Sequence, residues 1–185
     1  MATAKKGTRK EFFDVVTPVT STRISLYAAA PEELNGKVVT IDLTRSLRGK
    51  SFIMKMRVKA EGEKLIAEPI GLELAGSYIR RMFRKGADYV EDSFEMECRD
   101  GRAIIKPFML TRNKVSREII KKIRNMAKEY LVSYAKARTV KEMLTDIMVN
   151  KVQKELSFKV KKIYPLALCE IRVFKIVEAN PELKS

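Results

Sequence analysis

The chain contains no histidine and no tryptophan, and only two of its 185 residues are cysteine. Without an imidazole there is no Ser-His triad, no histidine general base and no ordinary histidine metal site. Cys98 and Cys169 lie too far apart in sequence to make a metal-ligand cluster, and they read as reduced, buried thiols rather than a disulfide. Glycine-rich phosphate loops, nucleophile elbows and paired-carboxylate patterns are also missing. Carboxylates such as Asp42, Asp88 and Asp146 are scattered, so the sequence predicts neither an enzyme nor a cofactor. No apolar run approaches the roughly 20 residues of a membrane span. The first residues lack the apolar core of a secretory signal, so a cytoplasmic protein with no membrane partner is expected.

Acids are scarce relative to bases. The 38 Lys+Arg against 23 Asp+Glu give a formal net charge of +15. Self-repulsion of that size is tolerated most easily where the partner is anionic: nucleic acid, an acidic protein or an anionic surface. With 45% hydrophobic residues the composition is globular, and the length suits one domain with a sizeable core.

Residues 1–11 are polar and basic, with Lys5, Lys6, Arg9 and Lys10, and form an N-terminal arm that is either solvated or ordered on a phosphate backbone. Phe12 to Val16 predicts an extended segment, Arg23 to Tyr27 a short strand, Pro31 to Gly36 a turn, and Lys37 to Leu43 another strand. Phe52, Met54, Met56 and Val58 then alternate with Ile53, Lys55, Arg57 and Lys59, a period of two that gives a strand one apolar and one mainly basic face. Glu61-Gly62-Glu63 predicts a hairpin turn, and Lys64 to Ile70 its return strand, with Pro69 marking an edge or a strand end. Leu74 to Lys85 predicts a helix closed by Gly86, with Arg80, Arg81, Arg84 and Lys85 near its end. These cations suit the helix dipole, but four exceed what that role needs. Ser93 to Arg99 and Arg102 to Leu110 predict a hairpin about Asp100-Gly101. The acids Glu91, Asp92, Glu95 and Glu97 should point away from phosphate.

The most informative stretch runs from Lys106 to Tyr134: a strand, the basic loop Thr111-Arg112-Asn113-Lys114, then a long helix. With about 100° per residue from Val115, Ile119, Ile123, Met126 and Tyr130 fall within roughly 0–80°. Arg117, Lys121, Arg124 and Lys128 fall within roughly 180–240°, a row of cations with no acid among them. Thr139 and Glu142 fit a capping box for a second helix reaching about Val152, with Val140, Met143, Leu144 and Ile147 on its apolar face. Leu156 to Lys162 is ambiguous, Pro165 stops any helix, and Leu166 to Val177 predicts a final strand before a tail at 179–185. An α+β fold follows: one RNA-binding domain over 12–178, its last strand rejoining a sheet built mostly from the first 110 residues.

The candidate contacts are Lys55, Arg57 and Lys59; Arg80, Arg81 and Arg84; Arg112, Asn113 and Lys114; and Arg117, Lys121, Arg124 and Lys128. Their clustering favours phosphate binding, for which arginine's planar fork is suited. The aromatics read as core residues, so backbone and shape recognition of structured RNA is expected, not stacking of single-stranded bases. A free-standing nucleic-acid-binding protein, such as a chromatin or RNA-chaperone module, is the alternative.

Phe12-Phe13-Asp14-Val15, Gly36-Lys37-Val38, the Thr111-Arg112-Asn113-Lys114 loop with its helix, and Ile163-Tyr164-Pro165-Leu166 occur in an order that resembles the archaeal and eukaryotic small-subunit ribosomal protein family eS1, also called S3Ae. The similarity runs from about Phe12 to Val177, and the short arm and early end resemble the archaeal type. The resemblance implies a mostly antiparallel, β-barrel-like sheet with flanking helices, two of them consecutive before the final strand. It implies a structural constituent of the small ribosomal subunit that binds ribosomal RNA on the platform, near the RNA 3′ end and the messenger exit. Neighbouring ribosomal proteins would be partners, universal small-subunit protein eleven (uS11) among them. Carried onto this chain, RNA contact falls at Arg112, Asn113, Lys114, Arg117, Lys121 and Arg124.

Overall fold

The structure, a computed structural model, describes residues 10–20, 23–47, 49–61 and 64–179. Most of the 1–11 arm, Gly62 and Glu63 of the expected hairpin turn, and most of the 179–185 tail lie outside the described residues. By compactness the chain divides into two units, residues 1–41 with 55–70, and residues 42–54 with 71–185.

The first unit holds β1 (Glu11–Val16), β2 (Ile24–Ala28), a 3-10 turn at Pro31–Leu34, nearly all of β3 (Val38–Asp42), and parts of β4 (Phe52–Glu61) and β5 (Lys64–Leu74). β1 pairs antiparallel with β2, Phe12 facing Tyr27, and parallel with β5 at Val15 and Val16. The period-two pattern of β4 holds: Phe52, Met54, Met56 and Val58 are fully buried, while Lys55, Arg57 and Lys59 are exposed. β5 continues four residues beyond Ile70, so Pro69 is neither at an edge nor at a strand end. It lies between the β1 pairing at Leu65–Ile66 and the β9 pairing that begins at Gly71, where a missing N–H costs no bond to either strand.

The second unit holds α1 (Gly76–Met82), β6 (Tyr89–Glu91), β7 (Phe94–Cys98), β8 (Gly101–Thr111), α2 (Arg117–Lys136), α3 (Val140–Met148), α4 (Lys151–Val160) and β9 (Leu166–Ala179). β8 is central: it pairs antiparallel with β6, β7 and, along its whole length, β9. β9 also pairs with the end of β5, where Gly71 is needed, because a Cβ there would lie 2.7 Å from the Phe174 carbonyl oxygen. α2 packs on β7, β6 and α4, and α4 on β9. Ile123, Leu131, Met143, Leu144, Ile147, Leu156 and Phe174 are essentially fully buried, each worth about 1.5–3 kcal/mol of transfer free energy.

Among the described residues the fold is α+β with a mixed nine-stranded sheet and four helices. Among the described residues, β1–β5 is the parallel pairing and the other registers given above are antiparallel. The strand path β2-β1-β5-β9-β8-β6 does not close on itself among the described residues, so the barrel-like shape implied by the resemblance is an open sheet. Two further expectations are corrected and one ambiguous stretch is resolved. α1 ends at Met82, not at Gly86: the backbone turns extended at Phe83, whose ring packs against Tyr89 and Phe108, and Gly86 serves a turn with φ +85°. The helix after the capping box stops at Met148, because Asn150 adopts the left-handed conformation. Leu156 to Lys162, ambiguous in sequence, lies mostly in α4.

Candidate nucleic-acid interface

The basic loop is held from both ends. Thr111, the last residue of β8, is completely buried, and its backbone N–H donates to the Asp88 carbonyl at 2.9 Å. Its hydroxyl accepts from the Asp88 N–H at 3.0 Å and shares its own proton between the Asp88 and Asn113 carbonyls, each at 2.8 Å. The Asp88 carboxylate in turn accepts from the Val115 N–H at 2.9 Å. Ser116 then caps α2, its hydroxyl accepting from the Ile119 N–H. The backbone is thereby fixed on both sides of the loop while Arg112, Asn113 and Lys114 stay exposed.

α2 carries the stripe as the wheel predicts. Ile123 and Tyr130 are buried, joined by Ala127, Leu131 and Ala135, while Ile119 and Met126 are half-buried. Arg117, Lys121, Arg124 and Lys128 are all exposed. Among the described residues the first three have no ion-pair partner, and Lys128 lies 6.0 Å from the Phe94 ring. The single acid of the helix's first turn, Glu118, is engaged off the stripe by Lys122 at 2.7 Å. Behind the helix, Tyr130 donates to Glu155 at 2.6 Å and Tyr134 to Asp146 at 2.7 Å, and Arg138 reaches the same Asp146 at 3.3 Å. Burial and these carboxylates push the Tyr134 phenol up to about 12 and raise that of Tyr130 further. The stripe therefore stands on a helix fixed against α3 and α4 by packing and by polar contacts.

The remaining candidates are placed differently. Lys55, Arg57 and Lys59 share the exposed face of β4, where Lys59 pairs with Glu68 at 2.6 Å. On α1, Arg80 turns back to its own Gly76 carbonyl, and Arg81 lies over the Tyr78 ring. Arg84 and Lys85 are exposed on the segment between Phe83 and Asp88, which leads straight into the residue that braces the loop. Of the acids, Glu91 is bonded to Arg172, and Glu95 lies 3.8 Å from Arg102.

The scattered carboxylates have structural partners. Asp42 accepts from the Thr44 hydroxyl and N–H, which hold its carboxyl below the usual carboxylate range. Asp88 braces the loop, and Asp146 receives Tyr134. No set of three or more metal-ligating side chains converges, and no helix is long and apolar enough to cross a membrane, among the described residues. The aromatics depart from expectation: Phe12 and Tyr27 form an exposed cross-strand pair 5.0 Å apart with Lys10 near the Tyr27 ring, and Phe83, Tyr89 and Phe158 are exposed too. A core reading fails there because Phe12 and Tyr27 occupy the outward positions of their strands.

The model of the ribosomal S3Ae family matches residues 2–180. The small ribosomal subunit protein eS1 of Nanoarchaeum equitans is 27% identical over 175 residues, covering 90% of this chain and 88% of that protein. The protein of the same name from Desulfurococcus amylolyticus is 26% identical, over 93% and 84% of the two chains. That from Sulfurisphaera tokodaii is 29% identical, over 92% of each. Every element described above, from β1 through the braced loop to β9, lies inside the matched span, and the chain belongs to the ribosomal S3Ae family.

Proposed function

We propose that this chain is a structural, non-enzymatic constituent of the small ribosomal subunit in the cytoplasm, gripping ribosomal RNA through α2 and the loop before it. The observation that supports this most directly is the row Arg117, Lys121 and Arg124, exposed and without ion pairs among the described residues, continuous with a basic loop whose backbone is fixed at Thr111 and Asp88. A backbone already fixed need not be ordered when its cations meet phosphates, and counterion release then drives binding without reading sequence. Lys128, the β4 face of Lys55, Arg57 and Lys59, and Arg80, Arg81 and Arg84 serve as further backbone contacts. The family name and the relatives' names support the small subunit as the assembly. Within it, this reading puts the chain on the platform near the RNA 3′ end and the messenger exit, beside neighbours that include uS11.

Sedimentation of cell lysate at low salt tests the assembly: absence of the chain from small-subunit fractions would sink the proposal. The surface is tested by Arg117→Glu, Lys121→Glu and Arg124→Glu combined. Binding to a structured RNA should weaken, and the slope of log affinity against log salt should fall by about two to three units. An unchanged slope removes the stripe from the interface.

A further inference from the structure

A groove of about 560 Å³ lies between α4 and the start of β9, on a different surface from the α2 stripe. Its floor is polar and incompletely paired. Glu170 is 4% exposed; Lys50 Nζ donates to its Oε1 at 2.5 Å, but its Oε2 has no partner. Gln153 is 3% exposed; its Nε2 donates to the Ile147 carbonyl at 2.9 Å, but its Oε1 also has no partner. Gln153 and Glu170 both line this groove, and their unmet acceptor atoms, themselves closed off from solvent just beneath its surface, each call for an N–H or O–H donor. The walls carry Lys154 and Lys161, so beyond the Lys50–Glu170 pair the groove is cationic. Phe158 adds a large apolar face, 71% exposed.

Each feature alone has an ordinary explanation; together they narrow the occupant. A cationic side chain from a partner protein would satisfy Glu170 but meet Lys154 and Lys161. A duplex backbone would satisfy the lysines and bring only ribose 2′-hydroxyls as donors, with its base faces stacked inside the helix and out of reach of Phe158. A ligand that is anionic, flat and rich in N–H donors meets all three demands. We propose that this groove takes an unpaired nucleotide of RNA, its base against Phe158 with an amino edge towards Gln153 and Glu170, and its flanking phosphates at Lys154 and Lys161. The inference rests on the chain being an RNA binder, but it names a different surface and a different RNA feature.

The test uses the full chain and fluorescein-labelled single-stranded decamers, C10 and U10, with a structured RNA in parallel, all followed by anisotropy. Cytosine offers an amino group where uracil offers a carbonyl oxygen, so C10 should bind more tightly than U10. Phe158→Ala removes an exposed ring and leaves the core alone; it should weaken C10 by about five- to a hundredfold and leave the structured RNA unchanged. Lys154→Glu with Lys161→Glu should weaken both decamers and flatten their salt dependence. C10 binding that ignores Phe158→Ala and the lysine pair overturns the groove proposal, whatever the α2 variant does. In that case, loss of structured-RNA binding in the α2 variant would still leave the proposed function standing. Loss of decamer binding in the groove variants alone, with the α2 variant binding structured RNA normally, would support the groove and remove the stripe.

Discussion

Thr111→Val is the most direct probe of the loop brace. The exchange is nearly isosteric, keeps the β-branch that suits the end of β8, and deletes only the hydroxyl. That oxygen is the acceptor for the Asp88 N–H at 3.0 Å and the donor to the Asp88 and Asn113 carbonyls at 2.8 Å. Thr111 is 0% exposed, so water cannot readily replace it. An orphaned buried donor costs about 1–3 kcal/mol, and a loss of about 2 kcal/mol is expected here. In a chain of this size each kcal/mol moves Tm by about 2–4 °C, so the melt should drop by about 4–8 °C. Thr111→Ser, which keeps the hydroxyl and loses one methyl, should cost only about 1 kcal/mol. Calorimetric melts of the three proteins give the ranking. Affinity for a structured RNA should fall about threefold in the valine variant, because Arg112 and Lys114 must then be ordered at the moment of binding. A valine variant that melts with the wild type, or that melts above the serine variant, would refute the brace.

Gly71→Ala should destabilise by about 1–3 kcal/mol, because the new methyl meets the Phe174 carbonyl oxygen and neither backbone can yield without opening the β5–β9 pairing; a denaturant midpoint equal to wild type would refute it. Tyr130→Phe removes the bond to Glu155 but leaves that exposed carboxylate to water, so urea unfolding should show a loss of only about 0.5–1.5 kcal/mol, and a larger loss would mean that the bond anchors α2 on α4. Alkaline pH gives a signed expectation. Burial pushes Cys98 up to about 11, and Cys169 and Tyr134 up to about 12, above their ordinary values of 9.0 and 10.0. Raised folded values mean that this contribution is complete below the unfolded values and is lost as pH climbs through the folded ones. Melts should therefore hold up to about pH 9 and decline steeply from there towards 12; Cys98→Ser should soften the first part of the decline, and a flat Tm between about pH 8 and 11 would contradict it.

What could be read from the sequence was what neighbouring residues decide among themselves. The β4 face, the hairpin about Asp100-Gly101, the α2 wheel and the Thr139–Glu142 box all depend on partners within a few residues or on a plain period, and each is in place. Long-range contacts erased the rest. Gly86 offered a plausible helix cap, but Phe83 leaves the helix to pack on Phe108, 25 positions along. β6 has only three residues and exists because β8 lies beside it. At the candidate interface the cations were legible and their support was not. Asp88 reaches Thr111 and Val115 across 23 and 27 positions, a distance at which no local pattern distinguishes a bracing carboxylate from a solvated one. The exposed Phe12–Tyr27 pair escaped for the same reason, since the register that joins them is set by β1 and β2 together.

The stripe is also costly to the protein that carries it, which bears on why it is there. Arg117 and Lys121 are four residues apart, Lys121 and Arg124 three, Arg124 and Lys128 four, so three like-charged neighbour pairs lie on one helix face. Such pairs destabilise by about 0.2–0.5 kcal/mol each. Arg117 is also the first residue of α2, where the helix dipole disfavours a cation. Local stability would place acids at these positions, as it does at Glu118. The triple charge reversal that should weaken RNA binding should therefore leave the free protein as stable as the wild type or about 1 kcal/mol more so, because the carboxylate introduced by Arg124→Glu faces Lys128. Raising the salt concentration should narrow that gap, because it screens both the dipole effect at position 117 and the 124–128 contact, the one pair of the three that the reversal turns from repulsion to attraction. Binding and stability moving in opposite directions is what a surface kept for an anionic partner requires. A triple variant that melts well below the wild type would mean that these cations hold the fold together, and the case for an interface on α2 would fail with it.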